Sequence, residues 1–155
     1  PYPVITIRGK KHRQGCKNIV LPLDLTKETK EKVNKAIEFA GYFGSSIRVL
    51  SVMVSEDEFI VNKLKRQLSQ VQEFIESKKI SCTTEVIQGG NIAEQILNYA
   101  KIIKADLIMI MTQQEMNWTD LFIGSSAQQI INHSDIPVLS IRPARKKDPY
   151  LHTPY

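Results

Sequence analysis

Cysteine is scarce in this chain: Cys16 and Cys82 are the only two in 155 residues, and no C-x-x-C pair exists. That excludes a disulfide-stapled scaffold and a zinc ribbon, and points to a reducing compartment. Long apolar runs are missing too. A membrane span needs roughly 20 apolar residues, whereas the longest candidate, residues 105–111, is strand-sized and interrupted by Asp106. Residues 1–16 alternate polar and apolar instead of forming an apolar h-region, so no signal peptide is expected. The protein is expected to be soluble and cytoplasmic, with no membrane partner.

The common catalytic signatures are absent as well. There is no G-x-x-x-x-G-K-[ST], no G-x-G-x-x-G and no G-x-S-x-G, which removes the usual phosphate loops and the nucleophile elbow. The three histidines, His12, His133 and His152, fall in two tails and at a helix C-terminus. None is placed for metal binding or general-base work, and His133 is expected to meet the last carbonyls of its helix. No catalytic residue and no metal site are expected, and the chain reads as a non-enzyme.

A net charge of +5 raises the question of nucleic acid. Residues 1–17 and 144–155 together hold 8 of the basic residues and 1 of the acidic ones, leaving 13 basic against 15 acidic in the body. The excess therefore sits in the tails and not on one folded face with aromatic platforms, so no nucleic-acid partner is expected.

What is present is a strict alternation of strand-like and helix-period segments, the pattern of a parallel sheet with crossover helices. Asn18-Ile-Val-Leu-Pro-Leu-Asp24 is a short apolar run ending in turn chemistry, with Thr26 placed as a helix N-cap. Val33, Ala36, Ile37, Ala40 and Phe43 recur at helical spacing, and Gly44 is set to end that helix. Residues 47–53 form the second strand. Ile60, Leu64, Leu68, Val71 and Ile75 mark the apolar stripe of a longer helix. Residues 82–87 make a polar third strand suited to a sheet edge, and Gly89-Gly90 turns the chain. Asn91 then caps a third helix lined by Ile92, Ile96, Ala100 and Ile103. Residues 106–111 should be a central strand. A fourth helix holds Ala127, Ile130 and Ile131, and residues 136–141 close the sheet. Ligands of such folds bind beyond the C-terminal strand ends, where strand order reverses; the candidate ends here are Asp24, Met53, Gln88 and Met111-Thr112.

The run through Met111-Thr112, then Ile123-Gly-Ser-Ser-Ala127, then Asp135-Ile-Pro-Val-Leu139, resembles the C-terminal half of universal stress proteins. Ile19-Val-Leu-Pro-Leu-Asp24 resembles their first strand, with its terminal Asp. The resemblance covers roughly residues 18–142. It implies an α/β fold: an open five-stranded parallel sheet in the order 3-2-1-4-5 with helices on both faces, pairing through the last strand and, in one subfamily, bound ATP. Nucleotide-binding members show Gly-x-x-Gly, nine residues, then Gly-(Ser/Thr). Glycines admit the phosphates to the backbone, and the N–H groups of the next helix receive their charge. Counting back from Gly124, the first two positions are Met111 and Gln114, and neither is glycine.

That departure sets the functional expectation. The resemblance places a nucleotide pocket at Leu23, Asp24, Val52, Met53, Thr112, Gln113, Gln114, Gly124, Ser125 and Ser126, with Asp24 beside the adenosine. Met111 and Gln114 damage its phosphate cradle. No cofactor is expected, and any binding of ATP or AMP should be weak. The expected function is a stress-response domain acting through dimerisation and protein partners. Two alternatives stand beside it: an adenine-nucleotide sensor in which Thr112, Gln113 and Gln114 side chains replace glycine donors around Gly124 and Ser125, and a regulatory domain attached to a transporter. Trp118, the only tryptophan, stands with Met116, Leu121 and Phe122, expected to anchor the connecting loop on the body. The sharper reading is a lid over the pocket or a partner patch.

Finally, Tyr2-Pro-Val-Ile-Thr-Ile-Arg-Gly9 repeats Ile136-Pro-Val-Leu-Ser-Ile-Arg-Pro143 in register. The reading is of a tandem protein: residues 1–17 the final strand and linker of a preceding unit, 18–143 the universal stress domain, 144–155 a basic C-terminal tail. Residues 3–8 should form an added N-terminal antiparallel edge strand beside residues 138–141. The working form would be a homodimer or a tandem pseudo-dimer.

Overall fold

A computed structural model describes residues 3–9, 15–24, 29–112 and 125–142. The Thr26 cap, the loop with Met116, Trp118, Leu121 and Phe122, His12, His152 and the tail from 144 lie outside the described residues. In chain order the elements are β1 (Val4–Thr6), β2 (Asn18–Pro22), α1 (Thr29–Phe43), β3 (Ser46–Met53), α2 (Glu58–Ser77), β4 (Cys82–Gln88), α3 (Ile92–Ile102), β5 (Leu107–Met111), α4 (Ser125–His133) and β6 (Val138–Ile141). They form one six-stranded sheet in the order β1-β6-β5-β2-β3-β4. Counting only the parallel strands β2 to β6, this is the expected 3-2-1-4-5.

The alternation of side chains along each strand divides the core into two layers. Ile19, Leu21, Ile47, Val49, Leu107, Met109 and Leu139 face α1 and α2, where they meet Val33, Ala36, Ala40, Leu64, Leu68 and Ile75. Val20, Leu50, Ile108, Ile110 and Val138 face the other way, onto Ala93, Ile96, Tyr99 and Ala100 of α3 and Ile130 of α4. Because β5 is covered on both faces it is apolar without interruption, and Leu107 to Ile110 are all buried. β4 at the far edge carries Thr83, Thr84 and Glu85, and alternates accordingly.

The helix boundaries follow local chemistry. Gly44 sits at φ +63° just past α1 and closes it, a conformation that favours a residue without Cβ. Asn91 accepts a hydrogen bond from Glu94 N at 3.1 Å and starts α3, while Asp57 accepts from Phe59 N at 2.8 Å and starts α2. Asp106 precedes β5 and does not belong to it; its Oδ2 accepts from both Lys17 N and Asn18 N, each at 2.9 Å, tying the entry of β2 to the entry of β5. His133 Nδ1 lies 3.1 Å from Gln129 O, the helix-end contact expected of it.

Three of the expected stripes need correction. Phe43 is 58% exposed: it ends α1 beyond the sheet, where its ring packs on Phe39 with centroids 4.6 Å apart. Ile60 is partly exposed in the first turn of α2. The buried side of α3 is Ala93, Ile96, Tyr99 and Ala100, so Ile92 stands at the rim and Ile103 falls past the helix end.

β1 bears out the expected edge strand. It pairs antiparallel with β6 through Val4↔Ser140, Ile5↔Leu139 and Thr6↔Val138. In the sequence repeat, Ile5 is the equivalent of Leu139, Val4 of Val138 and Thr6 of Ser140. The register is thus centred on equivalent residues, and β1 lies where a second β6 would lie in a two-fold symmetric pair.

Candidate functional site

β2 and β5 are neighbours for only two residue pairs, Ile19↔Leu107 and Val20↔Ile108, whereas β2 stays paired with β3 as far as Pro22↔Leu50. Beyond Val20 the chain of β2 therefore leaves β5. This is also where strand order reverses, since α1 carries the chain from β2 to β3 while α3 carries it back across to β5. The divergence opens a cavity of about 250 Å³.

Its walls come from both cores and from three helices. Leu50 and Val52 of β3, Ile96 of α3, Ile110 of β5 and Ile130 of α4 give it an apolar floor. Pro22, Leu23 and Asp24 form one lip, Met111 and Ser126 with Ala127 another, and Ile92 and Lys32 complete the rim. The first lip is held by hydrogen bonds: Leu23 N donates to Leu50 O at 2.8 Å, and the buried Ser51 Oγ donates to Leu23 O at 2.9 Å. Thr29 Oγ1 donates to Asp24 O at 2.9 Å, so the first turn of α1 fixes the residue whose carboxylate is exposed at the mouth. Lys32, one turn on, is half-buried, and its Nζ donates to Pro22 O at 3.0 Å.

Of the residues assigned to the pocket from sequence, Leu23, Asp24, Val52 and Ser126 line this cavity. Met53 does not. It is buried in the layer against α1 and α2, because adjacent strand residues face opposite sides and Val52 already faces the cavity. Thr112 is not in the lining either; its N–H donates to Ile141 O at 2.9 Å and so continues the ladder toward β6. Ser125 opens α4. Gln113, Gln114 and Gly124 lie outside the described residues. The lining also holds Pro22, Lys32, Leu50, Ile92, Ile96, Ile110, Met111, Ala127 and Ile130, which were not assigned to the pocket from sequence. The signal for Lys32 was available: Thr29, Lys32, Val33 and Ala36 share one face of α1 at i, i+3, i+4 and i+7 spacing.

Elsewhere the surface is less convergent. A wider groove of about 530 Å³ runs between α3 and α4, with Glu94, Lys101, His133 and Asp135 along it; it is an open inter-helix furrow away from the strand ends. Among the described residues no group of three or more His, Cys, Asp or Glu could hold a metal ion, and no helix is long and apolar enough to cross a membrane. Both thiols are held above their ordinary range. Burial pushes Cys82 up to about 11, with Glu76 adding and Arg48 opposing; burial also raises Cys16, against a hydrogen bond with Ser45 and with the Asp106 charge adding. Tyr99 is raised by burial and then by the charge of Glu85 and its hydrogen bond, with Arg48 opposing.

The chain is 26% identical over 145 residues to a universal stress protein of Methanocaldococcus jannaschii, covering 84% of this chain and 85% of that one. The fold matches a universal stress protein structure from Archaeoglobus fulgidus with a TM-score of 0.75 at 17% identity, over 92% of this chain and 50% of that one, so this chain spans half its length. It also matches an Archaeoglobus fulgidus universal stress protein in complex with dAMP, with a TM-score of 0.65 at 22% identity, over 80% of this chain and 96% of that one. The Universal stress protein family model matches residues 15–142, and the chain belongs to the universal stress protein family.

Proposed function

We propose that this chain is a stress-response unit whose cavity admits the nucleoside part of an adenine nucleotide weakly, and that it signals through binding without catalysing a reaction. The observation that carries the reading is the cavity itself: an apolar floor of Leu50, Ile96, Ile110 and Ile130 with Asp24 at its mouth. A flat apolar base fits the floor, and a carboxylate at the rim accepts hydrogen bonds from a ribose. The dAMP bound by the Archaeoglobus fulgidus neighbour supports the same ligand class. Against strong triphosphate binding stands Met111, a half-buried side chain at the lip where nucleotide-binding members have glycine.

Isothermal titration with adenosine, AMP and ATP tests this. Binding in the high-micromolar to millimolar range is expected, with ATP no tighter than AMP. Micromolar ATP affinity would show an intact phosphate cradle, and no binding of any of the three would remove the nucleotide reading. Hydrolysis of ATP should stay at background.

A second observation favours a paired working form. The two-fold register of β1 on β6, centred on Ile5 and Leu139, is that of two like units joined along their last strands. It supports the tandem origin of residues 1–17 and a homodimer or pseudo-dimer in solution. Small-angle scattering and sedimentation of this chain and of a variant lacking residues 1–9 test it. The shortened chain should pair through its bared β6; if it stays monomeric, that edge is not a pairing site.

A further inference from the structure

We infer that the aromatic ridge at the end of α1, Phe39, Tyr42 and Phe43, is a docking surface for a second unit of this same fold, seated by the two-fold relation of β1 to β6; this rests on the paired-unit reading above. The repeat makes each residue around β1 comparable with one of β6. Leu139 is 3% and Ile141 is 7% exposed in the layer under α1, yet their equivalents Ile5 and Ile7 are 48% and 57% exposed. Val138 is buried in the layer with Ile130 of α4, whereas its equivalent Val4 is exposed. The same short apolar sequence therefore has cover on both faces in β6 and on neither in β1. Exposed edge strands are ordinarily blunted by charge or proline, and Val4, Ile5 and Thr6 carry neither.

Paired residues of an antiparallel ladder share a face, so Ile5 lies with Leu139 on the α1 side of the sheet, and alternation puts Pro3 and Ile7 there as well. α1 already reaches over this ground: Phe39 and Tyr42 line a cavity of about 210 Å³ together with Leu139 and Ile141 of β6 and with Pro3 ahead of β1. Tyr42 and Phe43 are exposed beside it, the ring of Phe43 packed on Phe39. The two-fold that exchanges β1 and β6 sets a second α1 antiparallel on the same face, over Ile5 and Ile7, with its own Phe39 and Tyr42 beside Pro137, the equivalent of Pro3. The two ridges then flank the ladder, and side chains that are separately exposed become parts of one interface. An isologous contact needs only one such patch, used twice, and aromatic residues at its centre carry a large share of the binding energy. A contact between strands alone would leave Ile5, Ile7 and Tyr42 in water, and an unrelated partner would not account for β1 keeping the register of β6.

The test uses a second copy of this chain as the partner and bares β6 in two ways: by removal of residues 1–9 and, in the full chain, by Ile5→Pro with Thr6→Pro. Neighbouring residues of an antiparallel strand alternate in donating to a given partner, so one of the two prolines removes a ladder donor. Circular dichroism checks the fold of each form, and sedimentation equilibrium measures its dimer constant with and without Tyr42→Ala. The control is Phe59→Ala, another exposed aromatic ring, which opens α2 at the opposite end of β3 from the ridge. Both bared forms should dimerise; Tyr42→Ala should weaken the dimer about tenfold, and Phe59→Ala should leave it unchanged. A dimer indifferent to Tyr42→Ala overturns the ridge while the pairing of last strands stands. Bared chains that stay monomeric overturn both. Loss of the wild-type fold in both bared forms at high protein concentration also overturns both, since a second copy would offer β6 the cover that β1 gives it.

Discussion

The two faces of the sheet are built from the same residue types to different ends. Against α1 and α2 the layer is closed: Ile19, Leu21, Ile47, Val49 and Met109 are fully buried, and small residues, Ala36 and Ala40, let α1 lie close to the strands. Against α3 and α4 the layer is interrupted at the C-terminal strand ends, where Ile96, Ile110 and Ile130 are buried yet border a cavity. A closed layer contributes stability at every position. An interrupted one gives up part of its contacts to keep a space of defined shape.

The largest expected effect that bears on this contrast is a truncation on each side. Leu21→Ala should cost about 3–5 kcal/mol and Ile110→Ala about 1–3 kcal/mol in urea unfolding, because Ile110 already lacks neighbours on its cavity side. Equal losses would mean that the cavity is filled in solution. Enlargement should invert the sense: Ala36→Leu overpacks the closed face and should cost about 1–3 kcal/mol, whereas Ala127→Leu grows into the cavity, should change stability by less than about 1 kcal/mol, and should abolish adenosine binding. A stable Ala36→Leu protein would contradict the close packing of α1. Smaller again, Asn91→Ala should remove about 1 kcal/mol by uncapping α3, read by the same denaturant curves, with the ligand site disturbed only through Ile92 and Ile96.

The last contrast is in pH. Cys82 is buried in the closed layer, and its thiol is raised from 9.0 to about 11. The folded protein therefore holds that proton to higher pH than the unfolded chain does. Its contribution to stability is whole below pH 9.0 and is lost as pH rises toward 11. Stability should fall across that interval in the wild type and less steeply in Cys82→Ala. Native labelling at pH 8 should find Cys82 unreactive and the half-buried Cys16 faster.

Much of this molecule was legible in its sequence, and the misses share a cause. Apolar spacing located each helix, Gly44 and Asn91 marked their ends, and the repeat around Pro3 and Pro137 foretold β1 on β6. Met53 was placed in the pocket beside Val52 because a family motif is carried over as a stretch of chain, while a strand sends alternate residues to opposite faces. Lys32 was not singled out, because its place at the cavity depends on how α1 packs against the end of β2. Ile92 was expected in the core; the turn of α3 that the sheet allows puts Ala93 there instead.

The sequence by itself determined what depends on near neighbours along the chain: the periodicities, the caps, the strand polarity that makes β4 an edge and β5 a centre, and the absence of motifs for common catalysis. The tertiary structure alone decided where β2 parts from β5, how large a space that leaves, and that an aspartate, a lysine and residues from three helices meet around it. Those facts depend on contacts between segments tens of residues apart, as between Asp106 and Lys17 or Leu50 and Leu23. Local propensity carries no information about such distances; only the closing of the sheet sets them.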